Sequence, residues 1–117
     1  KMDALPYLDN MDEAYDIIVL DPPAFAKHKS ARHRAVKAYQ RINEAGLRNM
    51  KPGGMLFTFS CSQVVDNQLF FDTIRAAAIN VGRSISVLHR MRQPADHPVS
   101  IYHPEGEYLK GLVLSVD

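Results

Sequence analysis

The amino-acid sequence predicts an α/β fold, with parallel strands joined by crossover helices and an antiparallel strand at the end. One observation is that apolar segments of strand length alternate with segments of helical periodicity, at 16–20, 36–50, 55–60 and 67–81. The first strand is a nearly continuous apolar run, which is typical of parallel sheets covered on both faces. The last two strands, 84–91 and 108–116, have no helix between them, so we expect the final one to run antiparallel.

The first helix that follows a strand spans 36–50 in this prediction. A weak helical pattern at 3–14 precedes the first strand, and the polar, basic segment 25–35 is predicted to be a loop. Residues 36–50 separate into an apolar and a charged side at about 100° per residue. Gly46 lies within the apolar stripe, where the absence of a side chain would let the helix approach the sheet closely.

The elements after this helix have clear boundary signals. Residues 51–54, Lys-Pro-Gly-Gly, predict a helix stop and a turn before the strand 55–60. Asp66 is a candidate N-cap for the helix 67–81, and Gly82 ends that helix. A long loop with three prolines, 92–106, separates the last two strands.

Composition indicates one small, ordinary globular domain. The chain has 117 residues, 46% hydrophobic and 23% charged, and no apolar run approaches the about 20 residues of a membrane helix. A single cysteine excludes an internal disulfide, and a cytoplasmic location without membrane contact is expected. The five histidines match no zinc spacing, so no metal site is predicted.

Basic residues are concentrated in one part of the chain although the net charge is only +1. Eight of the fourteen lie between 27 and 51: Lys27, Lys29, Arg32, Arg34, Lys37, Arg41, Arg48 and Lys51. This cluster is either a solvated loop and helix face or a surface that faces phosphates, since clustered Lys and Arg supply most sequence-independent affinity for nucleic acid.

Two predicted strands end abruptly in polar residues. Asp21 is followed by two prolines, which a strand in mid-sheet cannot accommodate, and the strand 55–60 runs into Ser60-Cys61-Ser62. In open α/β sheets, ligands bind at the carboxyl ends of the strands. We therefore expect these two strand ends to form one active site.

Three motifs in this order carry a family resemblance over nearly the whole chain. Asp-Pro-Pro-Ala-Phe at 21–25 resembles the acid-Pro-Pro-aromatic motif IV of class I S-adenosylmethionine-dependent methyltransferases, with one extra residue before the aromatic. Phe-Ser-Cys-Ser at 59–62 resembles motif VI of the ribosomal RNA 5-methylcytosine enzymes. The segments 93–99 and 108–111 resemble the tail of the large-subunit ribosomal RNA methyltransferase I family.

For the fold, this resemblance implies the carboxyl-terminal half of a Rossmann-like class I methyltransferase sheet, with parallel βα units that end in an antiparallel β-hairpin. Residues 1–117 are then a partial methyltransferase domain. The Gly-rich motif I and the family's amino-terminal RNA-binding domain would be absent. Gly53 and Gly54 follow a predicted helix rather than a strand, so they do not match the cofactor turn.

For the chemistry, the resemblance implies methyl transfer to carbon 5 of a cytosine in large-subunit ribosomal RNA. A cysteine thiolate adds to carbon 6, and an acid near ring nitrogen 3 stabilises the adduct. Cys61 would be the nucleophile and Asp21 the acid. The target base must leave its stack, which looped RNA allows most cheaply. Without the resemblance, Cys61 could be a small core residue and Asp21 the cap of a turn.

The remaining site residues also come from the resemblance. The methyl donor S-adenosylmethionine would be bound by Asp3, Asp21 and Pro22. The substrate would be bound by Pro23, Phe25, Lys27, Ser60 and His97. Phe25 could equally be a core residue. The base that removes the proton from carbon 5 is unassigned, because the second cysteine that many related enzymes carry in motif IV is replaced here by Pro or Ala.

Two alternatives remain open. An amino-directed methyltransferase, acting on adenine or glutamine, shares the acid-Pro-Pro motif and needs no thiol, but its aromatic residue usually follows the prolines directly, whereas Ala24 intervenes here. The other alternative is an inactive remnant that self-associates or binds RNA weakly. In the complete fold the strand 16–20 pairs with a strand that this sequence lacks, so its edge would favour a homodimer or cover by the amino-terminal segment.

Overall fold

The computed structural model describes residues 15–24, 28–92 and 109–117. Within these ranges, the helices and strands are β1 Tyr15–Leu20, α1 Arg32–Arg48, β2 Met50–Ser60, α2 Asn67–Val81, β3 Ile85–Arg92 and β4 Lys110–Val116. A short 3-10 turn, Lys29–Ala31, leads into α1. The predicted helix at 3–14 and the predicted site residues Asp3, Phe25, Lys27 and His97 lie outside the described residues.

The four strands form one mixed sheet in the order β1-β2-β4-β3. β1 pairs with β2 in parallel, and β4 pairs antiparallel with both β2 and β3. The predicted α/β class and the antiparallel final strand are therefore confirmed. β4 thus lies between β2 and β3, although it follows β3 in the sequence.

The core lies on one face of this sheet, against both helices. In β1, Ile18 and Leu20 are buried in the core with residues of α1 and α2, whereas Ile17 and Val19 are 60% and 61% exposed. The apolar run at 16–20 predicted a strand covered on both faces. Among the described residues that expectation is wrong, since alternate side chains of a strand point to opposite faces and the helices pack on only one.

α1 begins four residues earlier than predicted. Its first turn carries exposed Arg32, His33 and Arg34, which have no apolar periodicity to reveal a helix. Farther along, a Cβ placed on Gly46 would lie 3.0 Å from Cδ1 of Leu20, so the predicted close approach of this helix to the sheet is confirmed.

β2 begins at Met50 rather than at the predicted 55. The pairing with β1 jumps from Tyr15–Met50 to Ile17–Met55, so a bulge absorbs the Lys-Pro-Gly-Gly segment. Gly53 has a φ of 84°, a conformation that favours glycine. The predicted turn is thus an irregularity inside a longer strand.

The boundaries of α2 are confirmed as predicted. Asp66 Oδ1 accepts a hydrogen bond from the Leu69 amide at 2.7 Å, which satisfies one of the unpaired donors of the first turn. Gly82 ends the helix with a φ of 77°, and its amide donates to the Ala78 carbonyl at 2.9 Å. Neither helix in the described ranges is long and apolar enough to cross a membrane.

Candidate active site

The two polar strand ends lie at the same edge of the sheet. The parallel register pairs Leu20 with Thr58, so β1 and β2 both finish at this edge: β1 ends at Leu20, next to Asp21, and β2 ends at Ser60. The antiparallel strand β4 starts here, with Lys110 opposite Ser60. Both polar strand ends and the start of β4 therefore lie at one edge of the sheet, and their joint role as one active site stays a prediction.

The predicted site residues that directly follow β1 differ in exposure. Asp21 and Pro23 are exposed, whereas Pro22 between them is buried. The carboxylate of Asp21 is therefore accessible to a ligand at the carboxyl end of the strand. The two rings give this turn a rigid backbone, because each proline fixes its φ.

Cys61 stands between two buried serines at the end of β2. Ser60 and Ser62 are both 0% exposed, whereas Cys61 is half-buried. Ser60 Oγ accepts a hydrogen bond from the Ser62 amide at 3.2 Å, which closes a tight turn around the cysteine. The hydroxyl of Ser60 thus supports the backbone of the turn, and a contact between Ser60 and substrate stays a prediction.

Lys110 is a residue of this edge that the sequence analysis did not select. Its side chain is only 5% exposed, and Nζ donates to the Ser62 carbonyl at 2.9 Å. Burial lowers the pKa of the Lys110 ammonium from its usual 10.5, while Coulomb interactions with Cys61 and Asp66 act in the opposite direction. The available signal was a lysine at the start of an apolar strand, inside the family-like segment 108–111.

Arg32, also missed as a site residue, anchors the loop that leads from Cys61 to α2. Its Nε donates to the Val64 carbonyl at 2.8 Å, which joins the first turn of α1 to this loop. The Val65 amide donates to the Ser62 carbonyl at 3.4 Å within the loop itself. The backbone beside the cysteine is therefore held by α1 through Arg32 and by β4 through Lys110.

The basic cluster continues from this edge along the outer face of α1. The exposed residues Arg34, Lys37, Arg41 and Arg48 fall within an arc of about 60° at about 100° per residue. Arg48 lies 4.0 Å from Glu44, whereas no ion pair with another described residue occurs at Arg34, Lys37 or Arg41. We name these four residues the α1 basic stripe, and their exposure fits both a solvated face and a phosphate-binding surface.

Curated relatives are similar to nearly the whole chain. Ribosomal RNA large subunit methyltransferase I of Alteromonas mediterranea is 41% identical over 113 residues, which are 97% of this chain and 28% of that protein. The protein of the same name from Shewanella denitrificans is 44% identical over 104 residues, 89% of this chain and 26% of that protein. The resemblance to this family is confirmed, and the chain spans about a quarter of the length of these relatives.

The fold is similar to that of solved methyltransferase structures. SMU.776, assigned as a methyltransferase and solved in complex with SAH, superposes with a TM-score of 0.79 at 23% identity, over 97% of this chain and 30% of that chain. This likeness confirms the Rossmann-like class I methyltransferase sheet. No protein-family model matches the chain.

Proposed function

We propose that this chain is part of an S-adenosylmethionine-dependent methyltransferase that acts on carbon 5 of a cytosine in large-subunit ribosomal RNA. The observation that carries the proposal is the meeting of Asp21 and Cys61 at one edge of the sheet, at the ends of two neighbouring parallel strands. The similarity to proteins named ribosomal RNA large subunit methyltransferase I supports the substrate class.

The Gly-rich turn that binds the donor lies outside these 117 residues in this proposal. Gly53 and Gly54 belong to the amino-terminal half of β2, whereas Asp21 follows the carboxyl end of β1. They are therefore at the edge of the sheet opposite the candidate site. Residues 1–117 would form part of a domain, which agrees with the quarter of the relatives' length that they span.

Asp21 and Pro22 fit a role in holding the methyl donor. SAH, the demethylated form of S-adenosylmethionine, is bound in SMU.776, which has a similar fold. An exposed carboxylate at the end of a strand accepts hydrogen bonds from an amino group, and the buried Pro22 fixes its backbone. Asp3 would contribute from the segment that precedes β1. The donor supplies an electrophilic methyl group to this edge.

Cys61 acts as the nucleophile. Its thiolate forms a bond to carbon 6 of the cytosine, and the electron pair of the 5–6 double bond moves to carbon 5. Carbon 5 would then take the methyl group from the bound donor, whose sulfur would keep the electron pair of the broken sulfur–methyl bond and leave as SAH. A base then takes the proton from carbon 5. The released electron pair restores the double bond as the bond between sulfur and carbon 6 breaks, and the thiolate is regenerated.

The other predicted residues bind and orient the RNA. Asp21 stabilises the adduct near ring nitrogen 3, and Pro23, Phe25, Lys27, Ser60 and His97 are kept as the proposed substrate-binding residues. The α1 basic stripe is available to contact phosphates along the same strand of RNA. Each exposed cation that binds a phosphate releases counterions from the RNA, and this release favours binding. The proposal includes the expected cytoplasmic location of the protein.

The test is methyl transfer from isotope-labelled S-adenosylmethionine to large-subunit ribosomal RNA by the protein that carries this chain. We expect labelled 5-methylcytidine, and turnover lost in Cys61→Ser and strongly reduced in Asp21→Asn. Arg75→Gln, on the exposed face of α2, is the matched control and should keep activity. Labelled adenosine, or full turnover in Cys61→Ser, would instead identify an amino-directed methyltransferase.

A second candidate is self-association of this chain through β1. β1 is an edge strand that pairs only with β2 among the described residues, and it exposes Ile17 and Val19. An unpaired apolar edge favours addition of another strand, here from a second copy. Sedimentation should show a dimer that Val19→Lys weakens, with slow amide exchange at 16–20. A monomer in which these amides exchange rapidly would contradict it.

A further inference from the structure

We propose that Lys110 is a positioning residue for the proposed nucleophile, and that its buried ammonium stabilises the thiolate of Cys61. This inference rests on the proposed function, because it assigns a role toward the same cysteine. No residue of β4 belonged to the predicted site, and the inference adds that strand to it.

The backbone places Lys110 beside the cysteine from two directions. Lys110 is the antiparallel partner of Ser60, the residue before Cys61, and its Nζ donates to the carbonyl of Ser62, the residue after it, at 2.9 Å. The ammonium therefore lies against the short turn that carries the cysteine. The side chain is 95% buried, so this position differs from that of an ordinary surface lysine.

Burial of a lysine without an electrostatic role is unfavourable. A lysine normally extends its flexible stem so that the ammonium stays in water, and a buried ammonium loses hydration. Burial lowers the pKa of Lys110, whereas Coulomb interactions with Cys61 and Asp66 counteract that effect. Because a Coulomb interaction is mutual, the ammonium in turn acts on Cys61, the proposed nucleophile in the attack on carbon 6.

Asp66 competes with Cys61 for this cation. It is the N-cap of α2, and its carboxylate acts electrostatically on Lys110. From β3, the backbone partner of Lys110 is Arg92. Asp66→Asn removes a negative charge beside the ammonium but keeps a residue that caps helices equally well. This substitution therefore changes the charge balance at the cysteine with little effect on the fold.

The experiment is alkylation of Cys61 by iodoacetamide, followed by mass spectrometry across a pH series. Mass spectrometry of the peptide that contains Cys61 follows this thiol alone, and the 117 residues hold no other cysteine. We expect Lys110→Met to slow labelling at neutral pH about tenfold. This change corresponds to a shift of the pH profile of labelling by about one pH unit toward alkaline values. Lys110→Arg should restore part of the rate, and Asp66→Asn should raise it above that of the unmodified chain.

A structural role for Lys110 alone predicts a different result. If the lysine only held the Ser62 carbonyl, Lys110→Met would leave the pH profile in place, and Asp66→Asn would have no effect; either result in a folded variant overturns the proposal. If Lys110→Met does not fold, the rise in rate expected for Asp66→Asn still decides the question. In the methyl-transfer assay, a folded Lys110→Met variant should lower kcat with KM for RNA unchanged.

The alkylation needs neither RNA nor a methyl donor, so its outcome is separate from that of the proposed function. Full methyl transfer by Cys61→Ser would end the proposed function whatever the labelling rates show. An unshifted labelling profile in Lys110→Met would end the inference about Lys110 even if the protein makes 5-methylcytidine.

Discussion

Thr58 Oγ1 donates a hydrogen bond to Asn43 Oδ1 at 2.7 Å, and both side chains are buried. Asn43 Nδ2 in turn donates to the Tyr39 carbonyl at 2.8 Å, so both the oxygen and the nitrogen of the Asn43 side chain are hydrogen-bonded. This pair fixes α1 to the central strand two residues before Ser60. The position of the cysteine turn therefore depends on a buried polar contact between helix and sheet.

Asn43→Leu should destabilise the chain by about 1–3 kcal/mol, because it leaves the Thr58 hydroxyl buried without its acceptor. Urea unfolding followed by circular dichroism measures the loss. The double variant Asn43→Leu/Thr58→Val removes both polar groups and should recover part of it. If the free energy of unfolding falls in the double variant by the sum of the losses in the two single variants, the two groups are not coupled.

Gly46→Val should destabilise the chain by about 1–3 kcal/mol through overpacking between α1 and the sheet. A Cβ at this position would lie 3.0 Å from Leu20 Cδ1 and 3.5 Å from Leu56 Cδ1, and both leucines are buried. Lys37→Val, on the exposed face of the same helix, controls for the poor helix propensity of valine and should cost under about 0.7 kcal/mol. Equal losses in the two variants would show that the contact with Leu20 is unimportant.

Lys110 should make the free energy of unfolding increase with pH in the alkaline range below 10.5, the usual pKa of lysine. Burial lowers the pKa of Lys110 in the folded chain, so between the folded and unfolded values the unfolded chain binds more protons. Stability then rises as the pH rises through that interval. Lys110→Met should lack this rise in urea titrations at several pH values, and identical pH dependence in both proteins would refute the prediction.

Substitution of Arg34, Lys37 and Arg41 by Gln should weaken RNA binding without changing thermal stability, because all three are exposed. Each lost phosphate contact should lower the slope of log affinity against log salt by about 1. Filter binding of a large-subunit ribosomal RNA fragment over a salt series measures this. Arg75→Gln is the matched control on α2, where the arginine lies 3.5 Å from Asp72. Equal affinity in the triple variant and the control would identify the stripe as a solvated face.

The sequence predicted the boundaries of an element correctly where residues at both of its ends signal them. α2 has a capping carboxylate at Asp66 and a glycine at Gly82, and both boundaries are as predicted. The start of α1 was missed because its first turn is held by a distant contact, from Arg32 to the Val64 carbonyl. The start of β2 was missed because Met50 joins the strand by pairing with Tyr15 across a bulge.

The sequence by itself determined the alternation of strands and helices, the two polar strand ends and the family resemblance, since each depends on residues that are close in the chain. Only the tertiary structure decided that one face of β1 is left exposed and that Lys110 lies beside the cysteine turn. Lys110 and Ser62 are 48 positions apart, and antiparallel pairing of β4 with β2 brings them together. Burial is a property of spatial neighbours, and the local pattern around a lysine does not encode it.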